Sequence, residues 1–453
     1  MAFAVIGVLQ FPVSLCAQKT IFSLAALTDS ADHYLPGLLE KRALVNSAAA
    51  HVGEARHLFL PKLRVNDQLN IGTDNSIAGS YFPYGIIPST SAGVRNSNNY
   101  QAASGNAAIL YSEYDLVSFG YKTASINNAK ALEAFQGADL EREIYLVNAN
   151  LSRDYFNLLK SEAKLEVERQ TVIRYDTIFR VIRALTLSGI KPGSDSSLAK
   201  AELSKSRIIY NRINESVENY REEIANMTGI PAIEINTDTS LLSKDRNLAG
   251  VEQVSAIPNP LIEYYKSLTN TYSANERLIA KSYLPRVFLT AATWARGSSI
   301  HYDDQYKSLP GGWGFQRFNY MGGIAFQYDL FNGIHKRDRL RSYGYERQAA
   351  ELELRQQMLN FSSIARQAQN RIDITEKNLL ELPVQYQAAL DTYHQKIAQY
   401  KAGIITLIDL TNAAFVLDRA LNDYVETTGD WYLARLEKAI ATGALSTFIQ
   451  SIR

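Results

Sequence analysis

The feature of this sequence that most constrains its fold is a motif that occurs twice in one register. Tyr400-Lys-Ala-Gly403-Ile-Ile-Thr-Leu-Ile-Asp409-Leu has a reduced copy in Leu187-Ser-Gly189-Ile-Lys-Pro-Gly-Ser-Asp195, each with a Gly and an Asp six positions on. The two glycines are 214 positions apart (189 to 403), and the same 214 separates Tyr114-Asp115-Leu116 from Tyr328-Asp329-Leu330. A third pair, Leu60-Pro61-Lys62 and Leu284-Pro285-Arg286, is offset by 224 (60 to 284), which indicates a short length change upstream. The chain is therefore a tandem duplication, and its architecture has to be read repeat by repeat.

Residues 33–229 form the first repeat and 259–441 the second, with an irregular segment at 230–258 and a tail at 442–453. In the first, the spacing predicts a helix from His33 to Phe59 with Pro36 in its first turn, where proline is tolerated. A strand follows at 62–73: Leu63, Val65, Leu69 and Ile71 alternate with Lys62, Arg64, Asn66, Gln68 and Asn70, and only Asp67 breaks the apolar face. The Ser-, Asn-, Gly- and Tyr-rich stretch 73–103 reads as a surface loop and 106–117 as a second strand.

From 126 to 187 there is no proline, and Ile144, Leu151, Leu158, Leu165, Val172 and Phe179 recur every seven residues, with Leu140, Val147 and Tyr155 beside them. That is a coiled-coil seam, and about 62 residues at 1.5 Å rise make a helix on the order of 90 Å long. A second helix is expected at 196–227, ending at Gly229-Ile-Pro231.

The second repeat restarts with a short helix at 261–282 and strands at 286–296 and 320–331. The last of these alternates Ile324, Phe326, Tyr328 and Leu330 with Ala325, Gln327 and Asp329. Long helices follow at 335–402, broken at Leu382-Pro383, which should kink the helix, and at 409–441.

Composition excludes several classes. Lys and Arg number 47 against 46 Asp and Glu, so the net charge of +1 leaves no overall footprint for nucleic acid. No apolar run is long enough for a spanning helix. The lone cysteine, Cys16, rules out an intrachain disulfide framework and a cysteine metal cluster. Ala2 to Leu15 followed by Ser14-Leu-Cys-Ala17-Gln18 reads as a secretory signal at 1–17 cleaved near Ala17, although a positive leading segment is missing; lipidation of Cys16 is the rival reading. The six histidines show no ligand spacing, and no nucleophile elbow, phosphate loop or dinucleotide fingerprint occurs, so neither an enzyme nor a cofactor is expected.

Four strands with one apolar face cannot close a membrane barrel, and open edges are not tolerated in lipid. Three chains giving four each would make a barrel of about twelve strands, within the bacterial outer-membrane range. The apolar face would meet lipid, and Lys62, Arg64, Gln68 and Asn70 a wet lumen.

The doubled strand-strand-long-helix-tip-helix plan, with Leu-Pro-Lys/Arg before a strand, Tyr-Asp-Leu-Phe-Asn-Gly after one, and Tyr-x2-Gly-x5-Asp at the tip, resembles the TolC family of outer-membrane efflux proteins from about residue 33 to 441. The resemblance implies a mixed α and β membrane protein, a homotrimer whose 12-stranded β-barrel in the outer membrane is continued by an α-helical barrel through the periplasm. It also implies a periplasmic adaptor on the helical tips and an inner-membrane transporter of RND, ABC or MFS type.

Carried over position by position, the resemblance puts the tips at Gly189 to Asp195 and Gly403 to Asp409. Asp409 matches an aspartate lining the closed periplasmic entrance, where three copies would form a cation-selecting ring. A second aspartate of the family is Asn412 here, which weakens that ring. Tyr400 matches a tyrosine that hydrogen-bonds across to Ser194, and Asp195 the acceptor of an arginine latch whose arginine is Ile405 in this chain. Read on their own, Gly189 and Gly403 serve equally as left-handed helix caps, Asp195 and Asp409 as charges at helix N-termini, and Tyr400 as a packing aromatic. The expected function is an efflux or type I secretion duct; the alternative is a secreted helical scaffold, or an adhesin-like outer-membrane protein without an export pore.

Overall fold

The computed structural model describes residues 21–77, 94–242 and 258–452. The proposed signal and Cys16 lie outside the described residues, as does part of the loop expected at 73–103. Eight helices and four strands are assigned among the described residues: α1 (Leu24–Tyr34), α2 (Pro36–His57), β1 (Lys62–Gly72), β2 (Ala103–Val117), α3 (Tyr121–Leu187), α4 (Gly193–Thr228), α5 (Pro260–Ser282), β3 (Arg286–Ser298), β4 (Arg317–Gln327), α6 (Asn332–Lys401), α7 (Leu407–Thr442) and α8 (Leu445–Ser451).

Several boundaries differ from the sequence expectations for identifiable reasons. The helix expected from His33 to Phe59 is two helices. Pro36 disfavours helical backbone at the residue before it, and Leu35 is extended at φ −66°, ψ 118°. His33 and Tyr34 therefore end α1, an element not foreseen, which Ser23 caps by accepting the Ala26 N–H at 3.3 Å. β4 stops at Gln327, so Tyr328 and Leu330 fall beyond the ladder although they keep its alternation.

The expected break at Pro383 is absent: α6 runs through it for 70 residues, so the missing proline N–H costs one ladder bond without ending the helix. The tail contains α8, whose Leu445 and Phe448 are buried at 1% and 2% exposure.

The duplicated halves are not the compact units. One unit takes residues 1–45, 135–267 and 351–453, the other 46–134 and 268–350, so each draws on both repeats. In the first unit the foreseen seam is present. Leu151 and Leu158 are fully buried, while Ile144, Leu165, Val172 and Phe179 pack partly buried against two apolar clusters. The larger cluster stacks Phe156 on Tyr432 at 5.3 Å between ring centroids and sets Phe448 against it at 5.8 Å.

The second unit holds an antiparallel four-stranded sheet in the order β1-β2-β3-β4. The β2–β3 pairing joins the repeats, with a bulge between Asp115 and Val117. Backbone packs closely at one end of it: a Cβ on Gly297 would lie 1.9 Å from the Gly314 carbonyl oxygen, so only glycine fits.

Candidate functional site

The two tips are built from the same backbone bonds. At the end of α3 the Ile190 N–H donates to the Leu185 carbonyl at 2.9 Å and the Gly189 N–H to Thr186 at 3.0 Å. At the end of α6 Ile404 donates to Gln399 at 3.0 Å and Gly403 to Tyr400 at 3.0 Å. Each glycine is left-handed, Gly189 at φ 72° and Gly403 at φ 75°, as this Schellman closure requires. The offset of 214 thus maps these two bonds of one tip onto those of the other.

The side chains differ. α7 opens with Thr406 as its cap: the Asp409 N–H donates to the Thr406 hydroxyl at 3.3 Å, and the Asp409 carboxylate accepts the Thr406 N–H at 3.0 Å. The Thr406 hydroxyl also donates to that carboxylate at 2.7 Å, and this bond, then the one from the Thr406 N–H, hold the Asp409 carboxyl below the usual carboxylate range. Leu407 and Leu410 beside it are 2% exposed. α4 opens with Pro192, which offers no side-chain cap.

That helix begins at Gly193, three residues earlier than expected. Ser194 and Asp195 consequently lie in its first turn, with Ser194 exposed and the Asp195 N–H donating to the Pro192 carbonyl at 3.1 Å.

Tyr400 is buried at 6% exposure among Tyr393, Leu407 and Leu410, and its hydroxyl has no hydrogen-bond partner. The expected bond to Ser194 is therefore not formed. Burial, and then the Asp195 charge, push the Tyr400 hydroxyl pKa up. What crosses between the tips instead is Lys191, whose Nζ sits 5.2 Å from the centroid of the Tyr400 ring. Ile405, at the place of the family's arginine, packs partly buried against the tip cluster, and Asn412 is exposed one turn beyond Asp409.

Sequence reasoning missed a polar ladder between antiparallel α3 and α7. Lys160 meets Asp430 at 3.1 Å and Lys164 meets Glu426 at 3.0 Å. Asn422 donates to Glu168 at 2.9 Å, and Thr171 to Asp418 at 2.7 Å, where Arg174 also pairs. Burial pushes the Glu168 and Asp418 carboxyls up. The signal was a four-residue step, Lys160, Lys164, Glu168 against Asp418, Asn422, Glu426, Asp430, hidden inside an apolar heptad.

In the sheet, register sorts the side chains. Val65, Leu110, Thr293 and Tyr320 share one row, and Leu289 and Ile324 another on the same face. That face is apolar and open to solvent in the single chain: Val65 is 75% exposed, Ile324 72% and Phe318 75%. β1 is exposed throughout and β4 at every residue except Ala325.

The opposite face carries Lys62, Glu113, Asp115 and Arg286 in one ion-pair network, with Arg286 2.6 Å from Asp115. Among the described residues no group of three or more His, Cys, Asp or Glu is placed to hold a metal ion, and no helix is long and apolar enough to cross a membrane.

Residues 29–230 match the family described as "Outer membrane efflux protein". Among solved structures, the outer-membrane channel OprN matches at 17% identity with a TM-score of 0.73, covering 93% of this chain and 90% of that one. VceC from Vibrio cholerae matches at 15% identity and 0.71, covering 93% and 96%, and the Campylobacter jejuni CmeC channel at 15% and 0.72, covering 99% and 97%. At these identities the likeness is one of fold, and it spans both repeats. No curated protein sequence matches the chain. The family match thus covers the first repeat, and the likeness of fold to outer-membrane channels covers both.

Proposed function

We propose that three copies of this chain form the outer-membrane duct of a tripartite efflux or type I secretion system. Their sheets would close a barrel of about twelve strands, and their long helices a tube through the periplasm. The observation that carries this reading is the sheet: one solvent-open apolar face, and two edge strands with unpaired backbone, which only lipid and neighbouring copies can satisfy together.

The duct is passive. It receives solute from an inner-membrane transporter of RND, ABC or MFS type through a periplasmic adaptor seated on the tips. Leu187, Ile190 and Ile404 there are 80%, 66% and 73% exposed, which supports apolar docking. Asp409, exposed and held ionised by its cap, supplies the acidic ring at the periplasmic entrance, with Asn412 leaving that ring at one carboxylate per chain.

The test is the mass and planar-bilayer conductance of the detergent-purified protein, wild type beside Asp409→Ala. A trimer with ion conductance whose cation share falls in the variant is the expected result. A monomer that gives no conductance would remove the duct.

A further inference from the structure

The near-neutral sequence hides a local imbalance that appears only once the strands are in register. The polar face of the sheet carries Lys62, Arg64, Arg286, Arg296 and Arg317 against Glu113 and Asp115, an excess of +3 per chain. Two of the bases, Lys62 and Arg286, are neutralised by the two acids. Arg64, Arg296 and Arg317 have no ion-pair partner among the described residues.

The register sets Arg296 directly opposite Arg317 in one row, both exposed. Cross-strand neighbours have Cβ atoms about 5 Å apart, and like charges placed there destabilise a sheet. Among the described residues, the one contact that relieves either guanidinium is a hydrogen bond from Arg317 Nη1 to the Gln316 carbonyl at 2.9 Å. The described acids of the segment between β3 and β4 do not supply the missing charge: Asp304 is taken by Arg95 and Asp303 by His301.

Two guanidinium forks side by side, unpaired and against packing economy, match the geometry of a carboxylate, sulfonate or phosphate. We propose that the Arg296–Arg317 row, supported by Arg64, binds and selects small anionic solutes passing along the polar face of the sheet. This rests on the duct reading, in which that face lines the lumen. Lipid headgroups are not the occupant, because the apolar side chains that would face lipid point the other way. In a closed barrel of three copies the row recurs as a ring of arginines, the arrangement that favours anions in pores.

The experiment uses the purified full chain in a planar bilayer under a KCl gradient, with citrate as a probe anion. Arg296→Gln/Arg317→Gln should lower the chloride-to-potassium permeability ratio by about threefold or more and weaken block by citrate. Arg296→Lys/Arg317→Lys, which keeps the charge, should retain the wild-type ratio. Should the double glutamine variant fail to assemble, Arg317→Gln alone, on an edge strand, reads the same ratio. Conducting channels with unchanged reversal potential and unchanged citrate block would overturn the anion row and leave the duct standing. Absence of conductance in the wild type would overturn the duct itself.

Discussion

The two helix tips are the same turn made with different anchors. Both close with a left-handed glycine and the same two backbone bonds, so the chain path is set by Gly189 and Gly403 alone. Beyond the glycine they diverge. The second tip has Thr406 and Asp409 in a reciprocal cap and two buried leucines, Leu407 and Leu410, in the first turn of α7; the first has Pro192, Gly193 and Ser196 at the places of Thr406 and the two leucines, and none of these is buried. Duplication has kept the backbone geometry while the side-chain support has become one-sided. The α3–α4 tip therefore has the weaker side-chain support, and Lys191 on the Tyr400 ring reaches across to the other tip.

The largest expected effect tests the anchoring directly. Leu410→Ala should cost about 2–5 kcal/mol, as deletion of a buried leucine does, whereas Ser196→Ala, one residue past Asp195, should stay within about 0.5 kcal/mol. Hydrogen exchange of the adjoining helix amides measures both, and equal costs would end the asymmetry. Next, Gly189→Ala and Gly403→Ala should each cost about 1–2 kcal/mol and by the same amount. Both glycines are left-handed and nothing lies within 4 Å of an added Cβ at either. A clear difference would mean that the two turns are not the same backbone device.

Thr406→Ala should loosen the first turn of α7 by about 1 kcal/mol, while Pro192→Ala, which removes no side-chain cap, should change α4 by less than about 0.5 kcal/mol. Tyr400→Phe is smaller still, between neutral and about 1 kcal/mol stabilising, because it deletes a buried hydroxyl that has no partner. Its channel conductance should match the wild type, whereas Tyr400→Leu, which removes the ring under Lys191, should raise it. A conductance increase in Tyr400→Phe would restore a hydrogen-bonding lock.

Last comes acidity. The Asp409 carboxyl is lowered from 3.8 in the folded chain, so the stability it lends is present above that value and is lost as pH falls through the folded value. Exchange at the α7 first turn should therefore quicken in strong acid in the wild type, and Asp409→Asn should abolish that pH dependence.

Much of the fold was legible because its signals are local. Period-two alternation over 62–73, the proline-free heptad from 126 to 187 and the duplicated glycines each lie in one short window of sequence. The failures came where two local signals competed. Pro36 reads equally as a first-turn proline or as a breaker, and only the packing of α1 in the core selects the break at Leu35. Pro383 by its local rule breaks and kinks a helix, yet neighbouring turns with Leu379 and Leu382 buried at 8% and 6% carry α6 past it. At the tips, motif position located Tyr400 and Asp409 but not their partners. The missing Tyr400–Ser194 bond depends on α4 starting at Gly193, a boundary that no residue in the motif announces.

By itself the sequence determined the duplication, the element types, the left-handed turns and the absence of enzyme motifs, because each of these is written in residues close together along the chain. The tertiary structure decided which strands share a row, which acids are taken by which bases, and which of two matching tips is anchored. Those are pairings between residues tens to hundreds of positions apart. A net charge near zero can resolve into a neutral network at Glu113 and an unpaired row at Arg296 and Arg317 only when β1 to β4 lie in register. Charge acts over a few ångströms of space, and composition records none of that distance.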